Sequence, residues 1–389
     1  MRYLALFIIF SVNQLVYAQE KFLFSKEANP IVYANIYSKD FGTVSNEEGV
    51  FEISRFHDRD SIMISHIGYH RLTISKKQLF LLDTVYLEPN HIVINEVVIG
   101  GFSARDTLSK AISRISNNYF VDPYNSLGLY RQHLVEDEIG VEMAETYVLS
   151  YHPKYKKNQS GQAKILSGKS TKNYSEFRLQ TVGGVIPIIN GADVVKNQQG
   201  ILNPDVIENY QFSFEGIIDD DFYVISFKAK QEADIDTNRY GKLYIEKNSL
   251  AIIQVEINSD KEKLSRINEG LEIIRADIPE FFTADIQTIV KYRKAKNGKY
   301  VLSFVYAVNE LLGIYKGNTK NYKSNVKYIM TDIKTKDVEK IKSNYDAEVP
   351  FILQDKNMSS NEFWFENNSE FIFSNKERNI LRDIENQNQ

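Results

Sequence analysis

The 389-residue chain contains no cysteine. That absence excludes disulfides, thiolate zinc sites, iron–sulfur clusters and a cysteine nucleophile. Proline is scarce at 8 and glycine modest at 19, so the composition is neither collagen-like nor that of a low-complexity tract. No charge of one sign prevails: 47 basic residues face 51 acidic ones, for a net charge of −4. Because the two signs are intermingled, no basic face for nucleic acid is expected. No apolar run reaches the ~20 residues of a membrane-spanning helix. GxSxG, Walker and GxGxxG motifs are all missing, which removes the commonest nucleophile-elbow and phosphate-loop chemistries. What is abundant is aromatic: 24 Tyr and 23 Phe against 1 Trp, a bias toward β-structure. With 43% hydrophobic and 25% charged residues the chain has apolar surface enough to fold, and its length suggests two domains at roughly 150 residues each.

The first residues read as an address. Met1-Arg2 is followed by an apolar run over Tyr3–Val12, and Val16 and Ala18 stand at −3 and −1 of a cleavage point before Gln19. This is the layout of a secretory signal peptide, so residues 1–18 are expected to be removed and the protein exported, to the periplasm or in association with the outer membrane.

Residues 19–100 read as a small β-sandwich. Ile31, Tyr33, Asn35 and Tyr37 alternate with Val32, Ala34 and Ile36, as on one extended strand. Gly42 opens the approach to a turn at Asn46–Gly49, and Val50–Ile53 returns. Short β runs follow at Ser61–Ser65, Arg71–Ser75, Thr84–Leu87 and His91–Ile99; short strands between polar turns suit a sandwich. Gly42, Gly49 and Gly68 are expected in turns of this domain, with Tyr69 covering the sandwich.

These residues resemble a known module. The order Pro30-Ile31…Ala34-Asn35-Ile36, Gly42–Phe51, Ile64-Ser65-His66-Ile67-Gly68-Tyr69 and Ile94–Ile99 is similar to the carboxypeptidase-like regulatory domain, a transthyretin-like sandwich of Bacteroidetes envelope proteins often found ahead of TonB-dependent receptors. The entry strand Phe22–Ser25 departs from it in lacking a glycine. The resemblance implies a non-catalytic envelope module without a zinc site. Asn118-Tyr119, Gly128–Gln132, Glu142–Tyr151 and Tyr240–Lys247 are similar to the β-rich segment that follows this domain in an uncharacterised group of envelope proteins, for which no chemistry is implied.

Residues 101–389 read as a second, β-rich domain. Leu108, Ala111, Ile112 and Ile115 form one stripe of an amphipathic helix expected over 106–118, capped by Ser103 or Asp106. Hairpin pairs follow: Tyr210–Phe214 with Tyr223–Phe227, Leu243–Ile245 with Ile252–Val255, and Ile286–Lys294 with Tyr300–Val308 around Asn297-Gly298, the strongest turn signal in the chain. They predict a curved antiparallel meander. Residues 311–325 read as a loop, Val326–Lys334 as a further strand, and the region of Trp364 and the charged tail after Asn375 as peripheral. The fold class expected is mainly β with minor α: a sandwich, then a curved meander packed with one or more helices.

Chemistry-bearing patterns are few. His133-x-x-Glu136 spells a zinc-hydrolase dipeptide, but the third ligand available downstream, His152, is close and the segment reads as a strand rather than a helix. His66 and His70 share a face four residues apart without a third ligand. Asp234–Asn238 opens like a calcium loop, yet Arg239 and Ile245 replace its Gly and Glu. Asp219–Asp221 reads as a solvated turn. No metal, no cofactor and no enzymatic activity are therefore expected. Tyr130, Arg131 and Glu145 lie on adjacent expected strands and are the candidates for a core or partner-binding polar network, because a buried Arg–Glu pair must be satisfied. The function expected is an exported docking module with an envelope protein as partner. The alternative is a periplasmic carrier of a hydrophobic ligand under the curved sheet, with Val182, Val185, Ile186, Ile188 and Ile189 as its lip. A secreted zinc hydrolase and an outer-membrane barrel are weaker alternatives.

Overall fold

A computed structural model gives the fold, describing residues 20–90, 92–93, 103–155, 160–173, 184–198, 200–218, 221–230, 238–262, 264, 280–344, 346, 349, 351, 354 and 371–387. The leader at 1–18, Ile94–Ile99, Val182, Asp219-Asp220, Asp234–Thr237 and Trp364 lie outside the described residues.

The first seven strands are β1 (Glu20–Ser25), β2 (Asn35–Tyr37), β3 (Gly42–Val44), β4 (Val50–Glu52), β5 (Ser61–Ser65), β6 (Leu72–Ser75) and β7 (Thr84–Leu87), with the short helix α1 (Lys76–Phe80) before the last. They form two sheets, β4-β1-β7 and β3-β2-β5-β6. Leu23, Ile36, Phe51, Phe56, Ile62, Ile64 and Val85 interdigitate between them as one core, the packing of a sandwich. Gly49 sits at φ +75, and a Cβ there would lie 2.4 Å from the Leu23 carbonyl oxygen, so only glycine makes this turn. Gly42 is not a turn residue: it begins β3.

The alternation over residues 31–37 is not one strand. Tyr33 takes a left-handed φ of +53, and β2 begins only at Asn35. Ile31, Ala34 and Ile36 enter the sandwich core, whereas Tyr33 turns out of it and packs with Phe304 and Ile329 of the second domain. The second domain supplies the burial that holds this backbone.

That domain is built on β8 (Ile92–Val93), β9 (Tyr124–Glu136), β10 (Ile139–His152), β11 (Gln162–Lys172), β12 (Tyr210–Ile218), β13 (Phe222–Ala229), β14 (Arg239–Glu246), β15 (Ile252–Ser259), β16 (Glu280–Lys294), β17 (Tyr300–Tyr315) and β18 (Asn318–Lys334). They make one sheet of 11 strands in the order β11-β10-β9-β18-β17-β16-β15-β14-β13-β12-β8. Neighbours are antiparallel, β18 returning beside β9. The sheet is open, with β11 and β8 at its edges, and is not a closed barrel. Of the strand expected over His91–Ile99, the two described residues, Ile92 and Val93, pair with β12 of this sheet rather than within the sandwich.

Residues 311–325 are not a loop. β17 and β18 run through them in continuous register about a turn at Lys316-Gly317, both at positive φ (+47 and +78), the conformation of a tight hairpin. The Lys and Asn residues of β18 hid its alternation.

One face of the sheet carries α2 (Ala104–Ser113) and the short helices α3 (Ile115–Asn118), α4 (Val185–Pro187) and α5 (Val194–Asn197). Ser103 caps α2 by accepting from the Asp106 N–H at 3.1 Å. Leu108, Ala111 and Ile115 bury their stripe against Leu243, Ile252 and Val290, each Leu or Ile contributing roughly 1.5–3 kcal/mol. The other face carries the sandwich over β15–β18 and the C-terminal helix α6 (Asn375–Gln387) over β9 and β10. The tail is therefore not peripheral: Ile380 and Ile384 are buried against Val135 and Met143. Ser374 and Glu377 form a reciprocal capping box, Ser374 N–H donating to Glu377 Oε2 at 2.8 Å and Glu377 N–H to Ser374 Oγ at 3.2 Å. Among the described residues, no helix is long and apolar enough to cross a membrane.

Candidate functional site

The principal cavity, about 370 Å³, opens where the sandwich meets the sheet. Alternation along β16 places Val290 and Tyr292 toward the helices and Lys291 and Arg293 toward the sandwich. The sandwich contributes Tyr37 from β2, Met63 from β5 and the His66–Arg71 connection; the sheet adds Phe222, Glu246, Ile253, Gln254 and Tyr300. Gly68, at φ +87, bends that connection, and Tyr69 both packs on the sandwich core and lines the cavity. The walls thus mix aromatic and aliphatic side chains with polar and charged ones, and Lys291 and Arg293 make a cationic floor.

That floor is deeply buried. Lys291 is 3% exposed and its Nζ donates to the Tyr33 carbonyl at 2.6 Å, tying sandwich to sheet. Burial brings the Lys291 pKa down to about 8, Glu256 opposing the shift. Arg293 is 4% exposed, and its Nε and Nη2 have no hydrogen-bond partner. Burial lowers its pKa too. His66 is brought down to about 3, first by burial and then by the charge of Lys291. At the rim, Glu246 is already engaged: its carboxylate accepts from Lys294 Nζ at 3.0 Å and from Ser249 Oγ at 2.5 Å.

A second polar centre lies under α6. Arg131 and Glu145 are cross-strand partners on β9 and β10, both 1% exposed and directly ion-paired. Arg131 also donates to Glu377 Oε2 at 3.0 Å and to the Phe371 carbonyl at 2.8 Å. Lys327 Nζ then joins Glu377 Oε1 at 2.8 Å to Glu47 Oε1 of the sandwich at 2.5 Å. Burial alone would raise the Glu377 pKa, but Arg131 and Lys327 outweigh it and hold this carboxyl well below the usual range. Tyr130 is not part of this centre. It points to the helical face, where its hydroxyl donates to Gln132 Oε1 at 2.7 Å and accepts the Gly184 N–H at 2.8 Å. With Arg131 and Glu145 sealed beneath the helix, the arrangement offers them to the fold rather than to a partner.

The remaining sequence motifs are dispersed. On the continuous strand β9, His133 and Glu136 leave opposite faces: His133 lies in the field of Glu377 and Lys327, whereas Glu136 pairs with Lys320. They do not form a metal pair. His152 stacks on Tyr124 at 4.1 Å and meets Ser126 Oγ at 2.8 Å. Val185, Ile188 and Ile189 are packed into the core against the sheet and do not line the interdomain cavity. Among the described residues, no group of three or more His, Asp or Glu is placed to hold a metal ion.

Lys291 and Arg293 were not singled out from sequence, because cations alternating on a strand read as a solvated face. Glu377 carried a usable signal, the Ser-x-x-Glu box at 374–377.

No family model and no curated protein matches the chain. The likeness of residues 19–100 to the regulatory domain thus rests on its sequence motifs alone. Among solved structures, similarity is found to a DUF1329 family protein from Desulfovibrio piger (9% identity, TM-score 0.28, covering 60% of this chain and 94% of that one). A LolA superfamily protein from Nitrosomonas europaea follows (13%, 0.27, 61% and 96%). A putative outer membrane lipoprotein-sorting protein domain from Vibrio parahaemolyticus is similar at 9% identity and TM-score 0.27, with coverage of 61% and 95%. Similarities of this size fix neither the fold nor the ligand of this chain.

Proposed function

We propose that the chain is an exported, non-catalytic binding protein of the cell envelope that carries one largely apolar small ligand in the cavity between sandwich and sheet. The observation that supports this reading is the cavity itself. Its volume of about 370 Å³ falls within the ~300–1,000 Å³ of small-ligand sites. Its walls combine Tyr37, Met63, Ile67, Phe222, Ile253 and Tyr300 with a larger set of polar and charged groups, Arg71, Lys291, Arg293 and Lys294 among them, a mixture that can hold an apolar body by one part and a polar head by the other. The site differs from the one expected from sequence, since Val185, Ile188 and Ile189, the described part of the expected lip, pack on the opposite face of the sheet.

The test is native mass spectrometry of protein taken from the envelope fraction without detergent. A ligand-sized adduct is expected, and it should be lost in Ile253→Trp, which fills the cavity. A bare mass that stays bare after incubation with an envelope lipid extract would remove the carrier reading.

The docking-module reading keeps one observation in its favour. Phe22, Phe80, Leu81, Leu82 and Tyr86 form an exposed apolar group beside β1 and β7, with Leu81 81% exposed. A patch of this kind on a folded domain commonly marks an interaction surface. Loss of envelope retention in Leu81→Ser with unchanged melting temperature would favour that reading.

A further inference from the structure

Resting on the binding reading above, we infer that the ligand carries an anionic head group, a carboxylate or a phosphate monoester, received by the Arg293 guanidinium with Lys291 beside it. The argument begins with a contrast on a single sheet. Arg131 and Arg293 are both almost wholly buried on the same face. Arg131 is saturated by Glu145, Glu377 and the Phe371 carbonyl. Arg293 forms no ion pair among the described residues, and two of its donor atoms, Nε and Nη2, lack any acceptor. A buried charge is normally paired, because removing one partner leaves the other desolvated without compensation. A fold that satisfies one arginine so fully and leaves its neighbour open is missing an acceptor at Arg293.

Arg293 stands in the cavity wall, its unpartnered Nε and Nη2 buried behind that wall. It lines the cavity together with Tyr37 and Asn35, and also lines the small recess behind it that is bounded by Gly42 and Ser303. Gly42 lies close by: a Cβ there would come into ordinary van der Waals contact with Arg293 Nε at 3.4 Å. Lys291, two residues earlier on the same face of β16, directs its ammonium to the Tyr33 carbonyl, a neutral acceptor that does not cancel its charge. The nearby acids do not supply the missing partner. Glu246 is held by Lys294 and Ser249, Asp332 is exposed on β18 and acts on Arg293 only through its field, and Asp221 stands on the rim. A planar guanidinium with adjacent free donors suits a carboxylate or phosphate better than a point acceptor. The aromatic and aliphatic walls then take the apolar remainder, so the ligand class is an amphipathic acid with its head inward.

The experiment compares four probes of equal chain length on the full chain by isothermal titration: dodecanoate, dodecyl phosphate, dodecanol and dodecyltrimethylammonium. The two acids are expected to bind at least about tenfold more tightly than the alcohol and the cation. The stronger of the two acids distinguishes a carboxylate from a phosphate head. Arg293→Met should abolish the preference of acid over alcohol, and Arg293→Lys should retain part of it. Equal binding of dodecanoate and dodecanol by the unaltered protein would overturn the head-group assignment and leave the carrier reading intact. Failure of all four to bind would overturn both. The comparison on the unaltered protein decides the matter even where a variant fails to fold.

Discussion

Replacing Glu377 by Gln tests whether the buried ion chain holds the C-terminal helix to the sheet. Five charged side chains link the sheet, the C-terminal helix and the sandwich: Glu145 and Arg131 on β10 and β9, Glu377 on α6, Lys327 on β18 and Glu47 in the sandwich. Glu377 is the middle link and is fully buried. Gln keeps its shape and one acceptor but removes the charge that Arg131 and Lys327 both face. Each cation retains one carboxylate, so the cost should lie at the lower end of that for breaking a buried pair, about 3 kcal/mol. Glu377→Ala also removes the reciprocal cap with Ser374 and should cost about 1 kcal/mol more. Urea unfolding at pH 7, with hydrogen exchange of α6 to localise the effect, measures both. Exposed Glu385, changed to Gln, serves as the control and should stay within about 0.5 kcal/mol. The pH dependence supplies the sign. Because the folded pKa of Glu377 is depressed, its contribution is complete above the unfolded value near 4.5 and is lost as pH falls through the folded one. The difference between parent and Glu377→Gln should therefore shrink on going from pH 7 into strong acid. A difference below about 1 kcal/mol at pH 7, or one indifferent to pH, would refute the reasoning.

Lys291 should behave in the opposite sense. Its pKa falls from 10.5 in the open to about 8 when buried, so the unfolded chain holds the extra proton between those values. The empty protein should gain stability relative to Lys291→Met as pH rises from 8 to 10.5, by an amount on the order of 3 kcal/mol; thermal melts of the two proteins across that range check it. Gly49→Ala should disorder the sandwich turn, because φ is +75 and the new Cβ would stand against the Leu23 carbonyl. That oxygen accepts the Ile31 N–H at 3.0 Å, so a loss of more than about 2 kcal/mol is expected in chemical denaturation. Gly68→Ala, with open space around its Cβ, should cost only the strain of its positive φ.

Much of the architecture was written locally. Alternation at Tyr210–Phe214, Tyr223–Phe227 and Ile286–Lys294, punctuated by Asn297-Gly298, specified antiparallel hairpins without reference to distant residues. The stripe Leu108, Ala111 and Ile115 specified α2 in the same way, because periodicity reports which face is buried. The Arg131–Glu145 pairing was also within reach, since both fall on adjacent strands and share a face. Elements whose burial is supplied from elsewhere were not legible. Residues 311–325 look polar because strand pairing, not an apolar stripe, orders them, and the tail after Asn375 looks solvated although Glu377 is sealed by Arg131 and Lys327.

The sequence by itself determined that this is a β-rich, cysteine-free chain with a sandwich followed by a meander, because composition, turn residues and periodicity act over a few residues. The tertiary structure alone decided that Tyr33 leaves the sandwich for the sheet and that the cavity opens between the two layers. It alone decided, too, that Lys291 and Arg293, which read as solvated on an isolated strand, are buried. Burial and charge compensation depend on what a second layer covers, and residues more than two hundred positions apart supply that cover.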